Sequence, residues 1–250
     1  HRSYIMTDIA VTGGVPFELT MCVRAATPTN WTDMARIETT NTPAHRAAMR
    51  YMRGVNFGNW LEAPPGAGWN KVFEPEDFRH AREQGFDHIR IPAGWHHYTG
   101  PAPDYEIDPA FFSRVDGAIG GCLFNDLAVM VNLPHVDEFI NDWDANSNKL
   151  VRLWGQIAAH YAAYPDELAF EILNEPKKNA TTQVMNEMYA MILPVIRATN
   201  PDRTVFLGPG ELNDIDELPY LRVPADDSNI IVTLHVYSPA YFTHQGSGWT

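Results

Sequence analysis

The chain has 250 residues and a formal net charge of −13, from 18 Lys and Arg against 31 Asp and Glu. Hydrophobic residues make up 45% of the sequence, enough for a sizeable core and too much for a disordered chain. The acidic balance disfavours nucleic acid or an anionic membrane surface as a partner. Two cysteines are too few for a disulfide scaffold or a multi-thiolate zinc site. No apolar run reaches the roughly 18 residues of a membrane span.

Residues 1–50 differ from the rest of the chain. Two β-leaning runs, SYIMTDIAV and PFELTMCVRAA, are joined by Gly13-Gly14 and predict a hairpin, and a connector rich in Thr, Asn and Pro follows. One hairpin is not a stable domain alone. We therefore interpret residues 1–50 as the tail of an ancillary β domain, or as a segment packed on the main body at 51–250. No signal peptide is visible in the sequence.

From residue 51 onwards, short apolar runs alternate with helical patterns. The apolar runs lie at 52–57, 86–92, 127–134, 167–176, 204–209 and 229–237. Helical patterns lie at 74–85, 108–124, 149–164 and 183–200, two of them with a proline near the start. Strands and helices alternating at this spacing predict βαβ units and a parallel sheet.

Six parallel strands fit either an open doubly wound sheet or a (β/α)8 TIM barrel. The first strand leads into NFGNWLEAPP, which is not a glycine-rich phosphate loop and argues against the open sheet. Polar residues follow several strands, as the carboxyl-terminal face of a barrel requires: Asn56, Arg90, His135, Asn174, Glu175, His235 and Tyr237. We predict a (β/α)8 barrel with six units visible. A complete barrel takes about 250 residues, so residues 51–250 are expected to stop about two units short.

The segment FEILNEP, at residues 170–176, carries the strongest chemical signal. Period-two alternation places Glu171 and Glu175 on the barrel interior, with Glu175 at its rim. A carboxyl group at a strand end, beside the Asn174 amide, suits acid–base chemistry on a sugar oxygen. The alternative is that Glu175 caps the next helix or pairs with the lysines that follow it.

Other candidate residues also have two interpretations. Arg90, in an apolar strand, either holds a catalytic carboxylate ionised or forms a structural pair inside the barrel. A single histidine at a strand end is most often structural, but His135, His235 and Tyr237 on one rim together indicate a site.

Trp60 and Trp95 each follow a strand, where an indole either stacks on a sugar ring or covers the core. The sequence contains no His-x-His, H-E-x-x-H, C-x-x-C, G-x-x-x-x-G-K-[ST] or G-x-S-x-G. Metal, redox, nucleotide and serine-nucleophile chemistry are therefore disfavoured, and neither a metal nor a cofactor is expected.

In chain order, RGVNFGNWLE, GFDHIRIPAGW, VMVNLPHVDEF, FEILNEP, LHVYSP and FTHQGSGW resemble the signatures of glycoside hydrolase family 5, the cellulase family of clan A. The similarity covers residues 51–250. The resemblance implies retaining hydrolysis of β-1,4-glycosidic bonds in a polysaccharide or oligosaccharide, first as an endo-β-1,4-glucanase. It also implies a secreted, extracellular protein.

The resemblance further implies a role for each matching residue. Glu175 is expected to be the general acid/base, with a pKa raised by a nearby carboxylate and by partial burial. Asn174 is expected to bind the hydroxyl beside the anomeric carbon. Arg90 is expected to support the nucleophile, and His135 to line the subsite nearest the cleaved bond. His235 and Tyr237 are expected to hold the nucleophile and the substrate in place.

The sequence departs from the family pattern in two places. Pro134 stands where the family has the first histidine of a pair, so that an imidazole and a possible ladder bond are lost. The family's nucleophile, a glutamate ending the seventh strand, is expected beyond residue 250. Glu211, in LGPGELN, is the alternative second carboxylate, although a substrate-facing or capping role fits it better.

Three other functions remain to be weighed. A β-mannanase is close behind the glucanase, because the visible motifs do not separate the two substrates. A non-catalytic sugar-binding protein on an incomplete barrel is favoured by Pro134 and by the missing nucleophile, and disfavoured by the intact N-E-P and His-x-Tyr. A metal-dependent hydrolase is disfavoured by the histidine spacing.

Overall fold

The computed structural model describes residues 9–10, 42–69 and 71–248, so most of the predicted N-terminal hairpin and connector lies outside the described residues. The strands are β1 (Ile9–Ala10), β2 (Gly54–Asn56), β3 (His88–Pro92), β4 (Ala128–Asn132), β5 (Leu168–Glu171), β6 (Val205–Leu207) and β7 (Ile230–Val232). The α-helices are α1 (Pro43–Ala48), α2 (Pro75–Glu83), α3 (Pro109–Phe124), α4 (Asp137–Asn141), α5 (Trp143–His160), α6 (Thr182–Arg197), α7 (Gly210–Asn213) and α8 (Ala240–Thr243). Short 3₁₀ turns lie at Trp95–His97 and Ile215–Tyr220.

The strands form one sheet in the order β1-β7-β6-β5-β4-β3-β2. Each neighbouring pair among β2 to β7 is parallel, which confirms the six strands predicted from the alternating pattern. β1 pairs antiparallel with β7, a contact that the sequence does not predict. In the described part of the chain β2 and β7 do not pair, so the sheet is open between its ends.

Local sequence explains where the helices begin. α3 starts at Pro109, and the side chain of Asp108 accepts the Ala110 N–H at 2.8 Å. α5 starts six residues earlier than the pattern predicts, because the Asp142 side chain accepts the Ala145 N–H at 3.2 Å and caps a longer helix. Of the helices in residues 42–248, none is both long enough and apolar enough to cross a bilayer.

The strands are buried on both faces. In β4, Val129 and Val131 belong to the core beneath the helices, whereas Met130 belongs to a second cluster on the sheet's other face. Helix α1 and the turn after it cover this inner cluster at the amino-terminal ends of the strands, where Tyr51 donates to the Glu167 carbonyl at 3.0 Å. Its members are Ala44, Ala47, Tyr51, Ala128, Met130, Ala169, Phe206 and Ile231. Polar side chains are therefore left to the carboxyl-terminal end of the interior.

The inner cluster yields a stability prediction. Phe206 is fully buried and meets Tyr51 edge to face, with 5.3 Å between the ring centroids. Phe206→Ala should lower the free energy of unfolding by about 3–5 kcal/mol in urea denaturation, because it opens a cavity. Phe124→Ala is the matched control, since Phe124 is 89% exposed, and should change it by less than about 0.5 kcal/mol. Equal effects of the two changes on the free energy of unfolding would contradict the burial of Phe206 in the inner cluster.

Candidate active site

A buried ion pair lies at the carboxyl-terminal end of the sheet's inner face. Arg90 donates to Glu171 from Nε at 2.6 Å and from Nη2 at 2.8 Å. Asn132 donates to the same carboxylate at 3.0 Å. Burial of Glu171 opposes ionisation, but the Arg90 charge and hydrogen bonds outweigh it and lower the pKa of this carboxyl group. The inner face is thus polar here because these groups satisfy one another.

Arg90 also orients two amides. Its Nη1 donates to Asn56 Oδ1 at 3.0 Å, and its Nη2 donates to Asn174 Oδ1 at 2.7 Å. The Asn174 oxygen is occupied in this way, which leaves its Nδ2 to donate to a ligand. Of the two interpretations of Arg90, the structure therefore supports a structural pair with Glu171 that also reaches Asn174.

The Glu175 carboxylate lies beside this network and is surrounded by donors. Its Oε1 accepts from His235 Nδ1 and from the Tyr237 hydroxyl, each at 2.8 Å, and its Oε2 lies 3.5 Å from His135 Nε2. The alternative roles for Glu175 are not seen in the described residues. Thr181 caps α6, and no hydrogen bond or ion pair joins Glu175 to the lysines after it.

The expected rise in the pKa of Glu175 is wrong for this arrangement. Burial does raise the pKa, but hydrogen bonds from His235 and Tyr237 outweigh it and lower the pKa of Glu175 to about 2. Burial and the same hydrogen bond raise the pKa of Tyr237 to about 12. At neutral pH Glu175 is an anion and Tyr237 is a neutral donor.

The structure also brings in residues that sequence reasoning missed. Glu171 on β5 accepts from Arg90 and from Asn132 on β4, and Asn213 accepts the backbone N–H of Glu175 at 2.9 Å. Alternation already places Glu171 inside the sheet, so its role could have been inferred from the inward-facing arginine. No comparable signal points to Asn213, which ends α7, a short turn after β6 with non-helical backbone angles.

The two tryptophans that follow strands differ in their surroundings. Trp95 is fully buried and packs against Phe111 and Phe112, so of its two interpretations the stacking on a sugar ring is wrong. Trp95 is buried because α3 supplies these apolar neighbours. Trp60 is half-buried and packs against Phe73 and Phe78; its contact with a sugar stays a prediction.

Two further expectations concern the rim. Pro134 lies two residues beyond the last ladder pair of β4, Asn132 with Glu171, so the proline removes no ladder bond. Glu211 is exposed, and its side chain forms no hydrogen bond or ion pair with another described residue.

Within the ranges that the structure describes, no three His, Cys, Asp or Glu side chains are grouped to hold a metal ion.

The family Cellulase (glycosyl hydrolase family 5) matches residues 48–250. Endoglucanase H of Acetivibrio thermocellus is 35% identical over 195 residues, covering 78% of this chain and 22% of the relative. Cellulase/esterase CelE of the same organism is 32% identical over 215 residues, covering 78% of this chain and 26% of the relative. The chain therefore spans about a quarter of the length of these curated relatives.

Solved structures with the same fold are also similar in sequence. Thermotoga maritima Cel5A in complex with cellobiose has a TM-score of 0.79 and 41% identity, covering 83% of this chain and 67% of that one. The complex of Cel5A with mannotriose has a TM-score of 0.78 and 40% identity, with the same coverage. The predicted TIM-barrel class is confirmed, with six parallel strands present and the barrel not closed in the described residues.

The buried ion pair yields a second stability prediction. Glu171→Gln should lower the free energy of unfolding at pH 7 by about 3–5 kcal/mol, because Arg90 keeps its charge and loses its partner. The folded-state pKa of Glu171 is lowered, so the pair stabilises above the unfolded Glu pKa of about 4.3, and that contribution is lost as pH falls toward the folded value. The difference between wild type and variant should therefore shrink in acid.

Urea denaturation at pH 7 and at lower pH tests this prediction. Glu83→Gln is the control, because Glu83 forms an exposed ion pair with Arg79 on α2 and its loss should matter little. A Glu171 variant as stable as wild type at pH 7 would contradict the stabilising role of the pair.

Proposed function

The chain belongs to glycosyl hydrolase family 5, and from that premise we propose that its site hydrolyses β-1,4-glycosidic bonds in polysaccharide with retention, as an endo-β-1,4-glucanase. The observation that carries the proposal is the placement of Glu175 at the end of a strand, beside Asn174 and in contact with His235 and Tyr237. Because the chain spans about a quarter of its curated relatives, the activity is proposed for the full-length protein that contains it.

Glu175 and Asn174 each have a defined step in this proposal. Protonated Glu175 gives its proton to the glycosidic oxygen while a second carboxylate attacks the anomeric carbon and the glycosidic bond breaks. Glu175 then takes a proton from the water that displaces the second carboxylate. The free Nδ2 of Asn174 donates to the sugar hydroxyl next to the reacting carbon.

Retention requires the two carboxyl groups to be about 5–5.5 Å apart. We assign the second one to the glutamate that the family resemblance expects on the strand after β7, beyond residue 250. In the described arrangement His235 and Tyr237 donate to Glu175 and keep it ionised. When these donors serve an ionised second carboxylate instead, Glu175 loses its stabilising contacts and gains a like charge nearby. Both effects raise its pKa toward that of a general acid.

The first proposed substrate is a cellulose-type glucan and the second is a mannan. The similar Cel5A structures carry cellobiose in one case and mannotriose in the other. The ratio of kcat/KM on soluble β-1,4-glucan to that on β-1,4-mannan measures the preference. Because such polymers are too large to enter a cell, we place the protein outside the cell.

A sugar-binding protein without turnover is the second candidate function. The donors on Glu175 support it, because they hold this carboxyl group ionised and unable to give a proton. Hydrolysis of an activated aryl cellobioside would exclude this candidate, and binding of cellotetraose without hydrolysis would favour it.

Glu175→Ala tests the catalytic role in the full-length protein. Hydrolysis of β-glucan should fall by about 10²–10⁴-fold, because the leaving oxygen is no longer protonated. Cleavage of an aryl glycoside with a good leaving group should fall less, and azide should restore turnover because it needs no general base. Glu211→Gln is the control and should keep wild-type activity. Equal losses on both substrates, or loss of activity in the Glu211 variant, would contradict the assignment.

A further inference from the structure

A left-handed turn lies between β6 and β7. Glu211, Leu212 and Asn213 have φ values of 48°, 65° and 61°, a region that non-glycine residues rarely adopt. Three such residues in succession are unfavourable by local preference, so contacts with the surrounding structure must hold the turn in place.

The turn is hydrogen-bonded to two segments of the site. One follows β5 and carries Glu175, and the other follows β7 and carries His235 and Tyr237. The Leu212 N–H donates to the Pro176 carbonyl at 2.9 Å, and the Glu175 N–H donates to Asn213 Oδ1 at 2.9 Å. The His235 N–H donates to the Asn213 carbonyl at 3.0 Å. Asn213 therefore contacts the main chain of Glu175 and of His235, whose side chains meet at 2.8 Å.

The Asn213 side chain is completely buried and closely packed against Gly208. A Cβ atom at Gly208 would lie 1.7 Å from Asn213 Nδ2 and 2.8 Å from the Thr233 carbonyl oxygen, so only glycine admits the amide. Asn213 Nδ2 has no hydrogen-bond partner among the described residues. The amide is thus held through its oxygen, and that oxygen bonds to Glu175.

We propose that Asn213 is a positioning residue that fixes the Glu175 carboxylate against His235 by accepting the Glu175 N–H. Glu175 is itself left-handed, with φ 47°, and this hydrogen bond holds it there. Without the acceptor, the backbone of Glu175 can relax toward a common conformation, which swings its side chain away from His235 and Tyr237. The effect on turnover rests on the proposed glycoside hydrolysis, whereas the effect on geometry does not.

Two substitutions distinguish the effect of the Asn213 amide oxygen from the effect of the left-handed backbone of the turn. Asn213→Gly keeps the left-handed backbone, which glycine adopts readily, and removes the acceptor. Asn213→Asp keeps an acceptor oxygen and tolerates the same backbone. If Asn213 only shapes the turn, glycine will serve at least as well as aspartate. If its oxygen positions Glu175, aspartate will rescue and glycine will not.

Kinetics of the full-length protein on β-glucan provide the first measurement. Asn213→Gly should lower kcat by about 100-fold with little change in KM, because a misplaced group loses rate more than binding. Asn213→Asp should retain kcat within about tenfold of wild type, since its oxygen still accepts the Glu175 N–H.

Titration of the Glu175 carboxyl group by ¹³C NMR provides a second measurement that needs no turnover. In Asn213→Gly the pKa of Glu175 should rise from about 2 toward its ordinary value, because the His235 and Tyr237 contacts are lost.

Asn200→Ala is the matched control, a second buried asparagine that bonds to Ala158 and Arg203 on the amino-terminal side of the sheet. It should lower the unfolding temperature and leave kcat and the Glu175 titration unchanged.

Asn213→Gly with kcat within about threefold of wild type and an unchanged Glu175 titration would overturn the proposal. Absence of β-glucan turnover in the wild type would instead overturn the proposed function. The titration still decides the positioning role in that case.

Discussion

The ion pair between Arg90 and Glu171 is the interaction on which the site depends. Both groups lie on the inner face of the sheet, and neither can be buried there without the other. Besides its bonds to Glu171, the Arg90 guanidinium donates hydrogen bonds that orient the side chains of Asn56 and Asn174. A structural requirement of the barrel interior therefore positions the amide that is proposed to contact the sugar.

The protonation of Glu175 depends on where two donors point. With His235 and Tyr237 donating to its carboxylate, Glu175 has a pKa of about 2, so it is ionised at neutral pH and holds no proton to give. Acid catalysis needs the opposite balance, which a competing carboxylate within reach of the same donors would provide. In the proposed mechanism, the two side chains would link the charge of Glu175 to that of the second carboxylate.

Backbone geometry around Glu175 comes from residues far away in sequence. Asn213 lies 38 positions further along the chain, in a left-handed turn that also bonds to His235. Glycine at position 208 gives the amide room. Neither periodicity nor a capping pattern indicates such a contact, because Asn213 lies in the short α7 turn, whose backbone is left-handed and not that of a regular helix. The same holds for Trp95, whose burial is decided by the helix that packs on it.

The six parallel strands, and the strand ends at which polar residues gather, could be predicted from the alternating apolar and helical patterns. Parallel strands bring their carboxyl ends to one edge, so the spacing predicts that Arg90, Asn174, Glu175 and His235 lie at one rim, and the resemblance to family 5 implies their roles there. The partners of these side chains, namely Glu171 for Arg90 and the donors His235 and Tyr237 for Glu175, follow from the folded structure alone. The direction of the Glu175 pKa shift follows from those partners. Such choices depend on distances of a few ångströms across the sheet, which no pattern along the chain encodes.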